Sequence, residues 1–186
     1  MKDALLKADP AAFEIVKNSL YKIAEEMRVV LAKTAYSPIL KSAGDYSCGV
    51  FDARGEMVAQ GPDLPIHLGS MPDAVRAVVG AFGDDVHDGD VFIHNDPYFG
   101  GSHLPDVNVV RPAFHDGRLL GYACLRAHWP DVGSATIASA QIMTGVLLAC
   151  VLVTCVPLAR WIRSPLAMVA PSSVRSARNP WTIPSV

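Results

Sequence analysis

Beyond Gly133 the chain has no aspartate, glutamate, lysine or histidine. All 18 acidic residues come before that point in a chain of 186. The far segment offers no carboxylate or imidazole, so acid–base or metal chemistry has to sit in the first part. A phosphate-cradling loop of the form G-x-x-x-x-G-K-S/T is also missing, which excludes ATP binding by that route. The cysteines, Cys48, Cys124, Cys150 and Cys155, form no C-x-x-C pair. The chain opens on polar and charged residues, not on the apolar run of a secretory signal. Free thiols in a reducing, cytoplasmic compartment are expected. Net charge is −2 with no basic stripe, which argues against nucleic acid as a partner.

What is present is a short pattern, His-x-x-Asp, that occurs twice: His103/Asp106 and His128/Asp131. Between the copies lies Asp116-Gly117, a tight-turn dipeptide with apolar runs on both sides, which predicts a hairpin. A turn centred there pairs residues whose numbers sum to about 233. Asp106 then lies across from Ala127, and His103 lies near Pro130. Both copies fall at the open end of one hairpin. Imidazole and carboxylate without thiolate suit a divalent cation, Mn²⁺, Zn²⁺ or Fe²⁺. The candidate ligands are His103, Asp106, His128 and Asp131. The plainer reading is that each pattern is only a surface hydrogen bond or a cap, and spacing alone leaves both open.

Around this core, Asp96 is either a further ligand, an orienting group or simple turn chemistry in Asn95-Asp96-Pro97. Arg126 shares a strand face with His128. It could bind a substrate carboxylate or serve as an ordinary ion-pair partner. His67, His94 and His115 read as structural or exposed. Gly100 and Gly101 read as positions of positive φ in a loop.

The remaining pattern is α+β, with helices first and a mostly antiparallel sheet after. Asp9-Pro10 starts a helix whose face carries Phe13, Val16, Leu20, Ile23, Ala24, Met27, Val30 and Leu31. It should stop before Ser37-Pro38. Residues 46–51 and 56–60 read as strands, and 61–69 as a loop. A second helix is expected near 71–82, capped by Ser70. Val91 to Asn95 reads as a strand, and the hairpin covers 107–126.

Several motifs resemble the hydantoinase B/oxoprolinase family. These are Gly44-Asp45-Tyr46-Ser47-Cys48 with Phe51-Asp52, and Pro65-Ile66-His67-Leu68-Gly69-Ser70-Met71. Next come Gly89-Asp90-Val91, Asn95-Asp96-Pro97-Tyr98 and Gly100-Gly101-Ser102-His103-Leu104-Pro105-Asp106. Arg126-Ala127-His128 and Asp131-Val132-Gly133 complete the set, in the family's order. The resemblance implies a subunit of an ATP-dependent enzyme that opens a cyclic amide, as N-methylhydantoinase and 5-oxoprolinase do, or of a related ketone carboxylase. It implies a hydantoinase A-type partner that handles ATP. It also implies a divalent metal on this subunit, which by motif falls to His103, Asp106, His128 and Asp131, the two histidines first.

The family pattern continues with a second glycine where this chain has Ser134, and nothing aligns beyond about Ile137. Residues 1–133 are therefore expected to be the N-terminal part of such a domain, and 134–186 a non-family tail. That tail holds an uncharged run, Ile142 to Ala159, followed by Arg160 and Arg163. Three readings compete for it. One is a membrane anchor, which Pro157 disfavours. Another is a poorly folded extension from a shifted frame or truncated gene, and the third is a buried segment. The Pro/Ser/Arg-rich end reads as disordered. A fragment of this kind is expected to be inactive alone. The rival functional reading is a non-catalytic remnant that only binds a partner.

Overall fold

The computed structural model describes residues 9–129 and 173–176. Helix α1 spans Pro10–Thr34. The Asp9 side chain accepts from the amides of Ala11 and Ala12 at 3.1 and 3.0 Å, so two orphan donors of the first turn are satisfied. Ala24, Met27 and Leu31 are buried, while Val16 is 58% exposed. Only the second half of the apolar face reaches the sheet. The helix ends before Ser37-Pro38 as expected, and a one-turn helix not foreseen, α2 (Pro38–Lys41), follows and buries Leu40.

Strands β1 (Tyr46–Asp52) and β2 (Met57–Gln60) form a hairpin. Helix α3 spans Pro65–Phe82, which corrects the expected loop over 61–69 and the start at Ser70. Two prolines, Pro65 and Pro72, competed for the first helical position, and the earlier one takes it. Pro72 lies inside the helix. An internal proline costs about 3 kcal/mol. Buried Met71, Val75 and Val78 each return about 1.5–3 kcal/mol, so the helix continues through it.

Then come β3 (Asp90–His94), a short 3-10 turn (Pro97–Phe99), β4 (Asp106–His115) and β5 (Arg118–His128). The sheet order is β2-β1-β5-β4-β3-β6, and β1 to β5 pair antiparallel. Strand β6 (Ser173–Ser176) lies parallel to β3, so part of the stretch expected to be disordered closes a sheet edge instead. The class is α+β. The apolar run Ile142 to Ala159 lies outside the described residues. Among those described, no helix is long and apolar enough to cross a membrane.

Two cores form on opposite faces of the sheet. Helices α1 and α2 cover Cys48, Val107, Val109, Ala123, Leu125 and Ala127. Helix α3 covers Phe51, Phe92, Val110, Tyr122 and Cys124. Cys48 and Cys124 are both fully buried, one in each core.

The β4–β5 turn forms at Asp116-Gly117, with φ of 49° and 72°, as a two-residue hairpin turn demands. The register differs from the expected one. His115 pairs with Arg118 and Phe114 with Leu119, but Ala113 pairs with Gly121. Leu120 is the extra residue of a β-bulge. From there on the pairing is shifted by one, so Asp106 lies across from His128, not Ala127. A one-residue shift reverses which face each side chain meets. The bulge thus turns His128 to the same face as Asp106.

Candidate metal centre

On the α3 face the sheet changes character within one row. The row Gly49, Cys124, Val110, Phe92 is apolar, and the next row is Ser47, Arg126, Asn108, His94. All four of the latter are buried. The row after that holds His128 and Asp106 at the open end, next to Asp45, whose carbonyl accepts from the His128 amide at 3.0 Å. Buried polar groups need partners, and this row supplies several of them internally. Arg126 Nε donates to Asn108 Oδ1 at 2.7 Å, and Asn108 Nδ2 donates to the His94 carbonyl at 3.0 Å. Arg126 Nη1 donates to the His67 carbonyl at 3.4 Å and to Ser70 Oγ. These bonds tie the first turn of α3 to the sheet. Arg126 shares the face of His128, as expected, but its partners are neutral. No carboxylate forms an ion pair with it among the described residues.

The loop before β4 delivers His103. Asn95 Nδ2 donates to the Leu104 carbonyl at 2.9 Å and pins the loop's two ends. The Asp106 amide bonds the His103 carbonyl at 3.0 Å. That single turn explains the His-x-x-Asp spacing, because it sets the two side chains side by side. Gly100 has φ of 86°, and a Cβ there would lie 2.5 Å from the Asp73 carbonyl oxygen. The glycine lets the loop press against α3, while Gly101, read as a second position of positive φ, does not take it. Asp96 serves as a cap, accepting from the Tyr98 amide at 2.9 Å.

His103, Asp106 and His128 converge. His103 Nε2 lies 3.2 Å from His128 Nδ1 and 3.2 Å from Asp106 Oδ1, and His128 Nδ1 lies 3.1 Å from Asp106 Oδ1. They are the His/Cys/Asp/Glu group among the described residues able to hold a metal ion. Three donors about 2.1 Å from one ion, at tetrahedral or octahedral angles, stand about 3.0–3.4 Å apart. The triangle fits that spacing. Ser102 Oγ donates to Asp106 Oδ2 at 2.6 Å, so toward His103 Nδ1, 3.4 Å away, it is left to accept. The His103 proton then sits on Nδ1, and its Nε2 lone pair faces the triangle. Asp131 lies outside the described residues.

Electrostatics favour a cation here. Burial alone would raise the Asp106 carboxyl, but hydrogen bonds from Ser102 and His128 and the nearby His67 and His103 hold it below the ordinary range. It is an ionised, 1% exposed carboxylate. The His103 and His128 side chains are 51% and 27% exposed, which leaves one side of the triangle open.

Sequence reading missed two neighbours. His67, read as structural or exposed, is buried. Its Nε2 lies 3.4 Å from Asp45 Oδ1 and 3.6 Å from Asp106 Oδ2. Burial pulls its pKa down against the pull of those two carboxylates. Asp45 and His67 have no local spacing to either His-x-x-Asp copy, and only the fold brings them close. His94 is buried, and burial lowers its pKa too. The His115 side chain is 39% exposed beside Asp116.

The hydantoinase B/oxoprolinase model matches residues 9–160. The chain belongs to that family. The match runs past Gly133, where the recognisable motifs end. Among relatives, the caprolactamase subunit beta of Pseudomonas jessenii is 41% identical over 125 residues, covering 67% of this chain and 22% of that protein. The 5-oxoprolinase of Dictyostelium discoideum is 36% identical over 138 residues, covering 74% of this chain and 11% of its own length. The crystal structure of the ATP-dependent caprolactamase from Pseudomonas jessenii superposes with a TM-score of 0.70 at 29% identity, over 84% of this chain and 34% of that one. This chain therefore spans about a quarter or less of these curated relatives.

Proposed function

We propose that this chain is the N-terminal portion of a subunit of an ATP-dependent cyclic-amide hydrolase. In this reading His103, Asp106 and His128 hold a divalent cation. The observation that carries it is the near-equilateral triangle of Nε2, Nδ1 and Oδ1. Caprolactam and 5-oxoproline, named in two relatives, are both lactams, so a lactam ring is the substrate class that fits. Asp45 and Asp131 are the candidates for a further oxygen ligand.

A bound Mn²⁺, Zn²⁺ or Fe²⁺ would supply Lewis-acid polarisation of an oxygen, or a water of lowered pKa. The chain's own residues set the stage for it. Asp106 brings negative charge from a buried position. His103 Nε2 and His128 Nδ1 lie beside it on the open side. Arg126 keeps Nη2 without a hydrogen-bond partner among the described residues, and it is the group on this face suited to an oxyanion. ATP is assigned to a hydantoinase A-type partner, which agrees with the word subunit in the relative's name.

The test is elemental analysis of the purified chain, beside the variant carrying both His103→Ala and His128→Ala. The wild type should carry the metal and the double variant should not. Equal metal content in both would place the ligands elsewhere. A second assay adds ATP, a lactam and an A-type partner. Activity is expected only once the missing part of the subunit is supplied. ATP-dependent ring opening by this chain and the partner alone would overturn the fragment assignment.

A further inference from the structure

The His67 ring occupies a buried slot between the first turn of α3, the start of β1 and Asp106. Its side chain is 5% exposed. On one edge, Nδ1 lies 3.3 Å from Ser47 Oγ. On the other, Nε2 faces Asp45 Oδ1 at 3.4 Å and Asp106 Oδ2 at 3.6 Å. A bare lone pair aimed at two carboxylate oxygens would be repelled by both. The proton therefore sits on Nε2, Nδ1 accepts, and the Ser47 hydroxyl donates. The direction of this chain is Ser47 to His67 to the two carboxylates.

Asp106 is consequently held from behind. Its Oδ2 takes the Ser102 hydroxyl at 2.6 Å and faces the His67 N–H, while Oδ1 is left toward His103 and His128. The backbone of His67 is fixed as well, since Arg126 Nη1 donates to its carbonyl. The ring cannot drift without breaking a bond from the sheet.

We propose that His67 is a positioning residue for cation binding: its Nε2–H draws Asp106 and Asp45 to one side and keeps Asp106 Oδ1 aimed at the imidazole pair. The proposal rests on the cation reading above. It adds that a residue outside both His-x-x-Asp copies sets the affinity of the site. Groups in this orienting role commonly change metal affinity by about 10–100-fold when removed.

The experiment titrates the full chain with Co²⁺, reading its visible absorption bands, and with Mn²⁺ in competition. Wild type, His67→Leu, His67→Gln and Ser47→Ala are compared, with far-UV circular dichroism and melting as folding controls. His67→Leu should weaken Co²⁺ binding about 10–100-fold and shift the absorption bands. His67→Gln places an amide N–H near the Nε2 position and should recover most of the affinity. Ser47→Ala frees the other tautomer and should weaken binding about 10-fold, the low end of that range. A His67→Leu chain that folds and binds Co²⁺ with the wild-type Kd and spectrum would overturn the proposal. If His67→Leu fails to fold, an unchanged Kd in Ser47→Ala overturns it instead. A wild type that takes up no Co²⁺ would sink the cation reading first, an outcome distinct from loss of the difference between variants.

Discussion

Replacing Asp106 by Asn separates the charge of this residue from its shape. The side chain is 1% exposed, and its carboxylate faces Ser102 on one oxygen and two imidazoles on the other. A carboxamide fits the same space. Its oxygen can accept from Ser102 and its NH₂ can donate to His103 Nε2, but the His128 N–H that bonded Asp106 Oδ1 loses its acceptor. The metal-free cost is that of a lost charged acceptor, about 1–3 kcal/mol. With a cation the difference is larger, because the NH₂ now points where the ion would sit. At a free cation concentration of about 100 Kd, binding stabilises the wild-type fold by about 2.7 kcal/mol. A variant about 100-fold weaker gains only about 0.4 kcal/mol at that concentration. Urea denaturation with and without Mn²⁺ measures both numbers. Asp106→Asn gaining the same increment from Mn²⁺ as the wild type would refute the reasoning.

Three further outcomes are expected. Gly100→Ala forces a side chain into positive φ and against the Asp73 backbone, and should lower stability by about 2–4 kcal/mol in denaturant titration; a loss below measurement error would mean the loop does not rest on α3. Deleting Leu120, which is 49% exposed, should leave the pairs His115/Arg118, Phe114/Leu119 and Ala113/Gly121 continuous, so cation binding should survive; a folded but metal-free deletion would contradict the register. Asp63 accepts from the Cys48 amide at 2.8 Å and pairs with Arg28 at 3.2 Å, yet burial raises its pKa. Its folded pKa thus exceeds the unfolded one, so its protonated form adds stability that is full below the unfolded pKa and is lost as pH rises through the folded pKa. Denaturation in mildly acidic buffers should show that decline in the wild type relative to Asp63→Asn, and parallel profiles would contradict it.

Much of the frame was legible. Asp9-Pro10 named the start of α1, Ser37-Pro38 bounded its end, and Asp116-Gly117 fell at the turn. These are local signals, carried by backbone preference and capping. The three donors of the triangle were also named, since a hairpin plus one i, i+3 turn brings them to one place. The rest depended on packing. Nothing in Arg118-Leu119-Leu120-Gly121 marks Leu120 as a bulge, and had Leu120 paired in regular register His128 would face away from Asp106. The start of α3 was hidden because the buried side reaches back to His67, a residue with no apolar signature. Asp45 and His67 join the site through contacts between distant segments, which no spacing rule encodes.

The most direct measurement is an anomalous-scattering crystal structure of the full chain grown with Mn²⁺. The account predicts a manganese peak bonded to His103 Nε2, His128 Nδ1 and Asp106 Oδ1. Manganese bound elsewhere, or those three side chains turned apart, would contradict it.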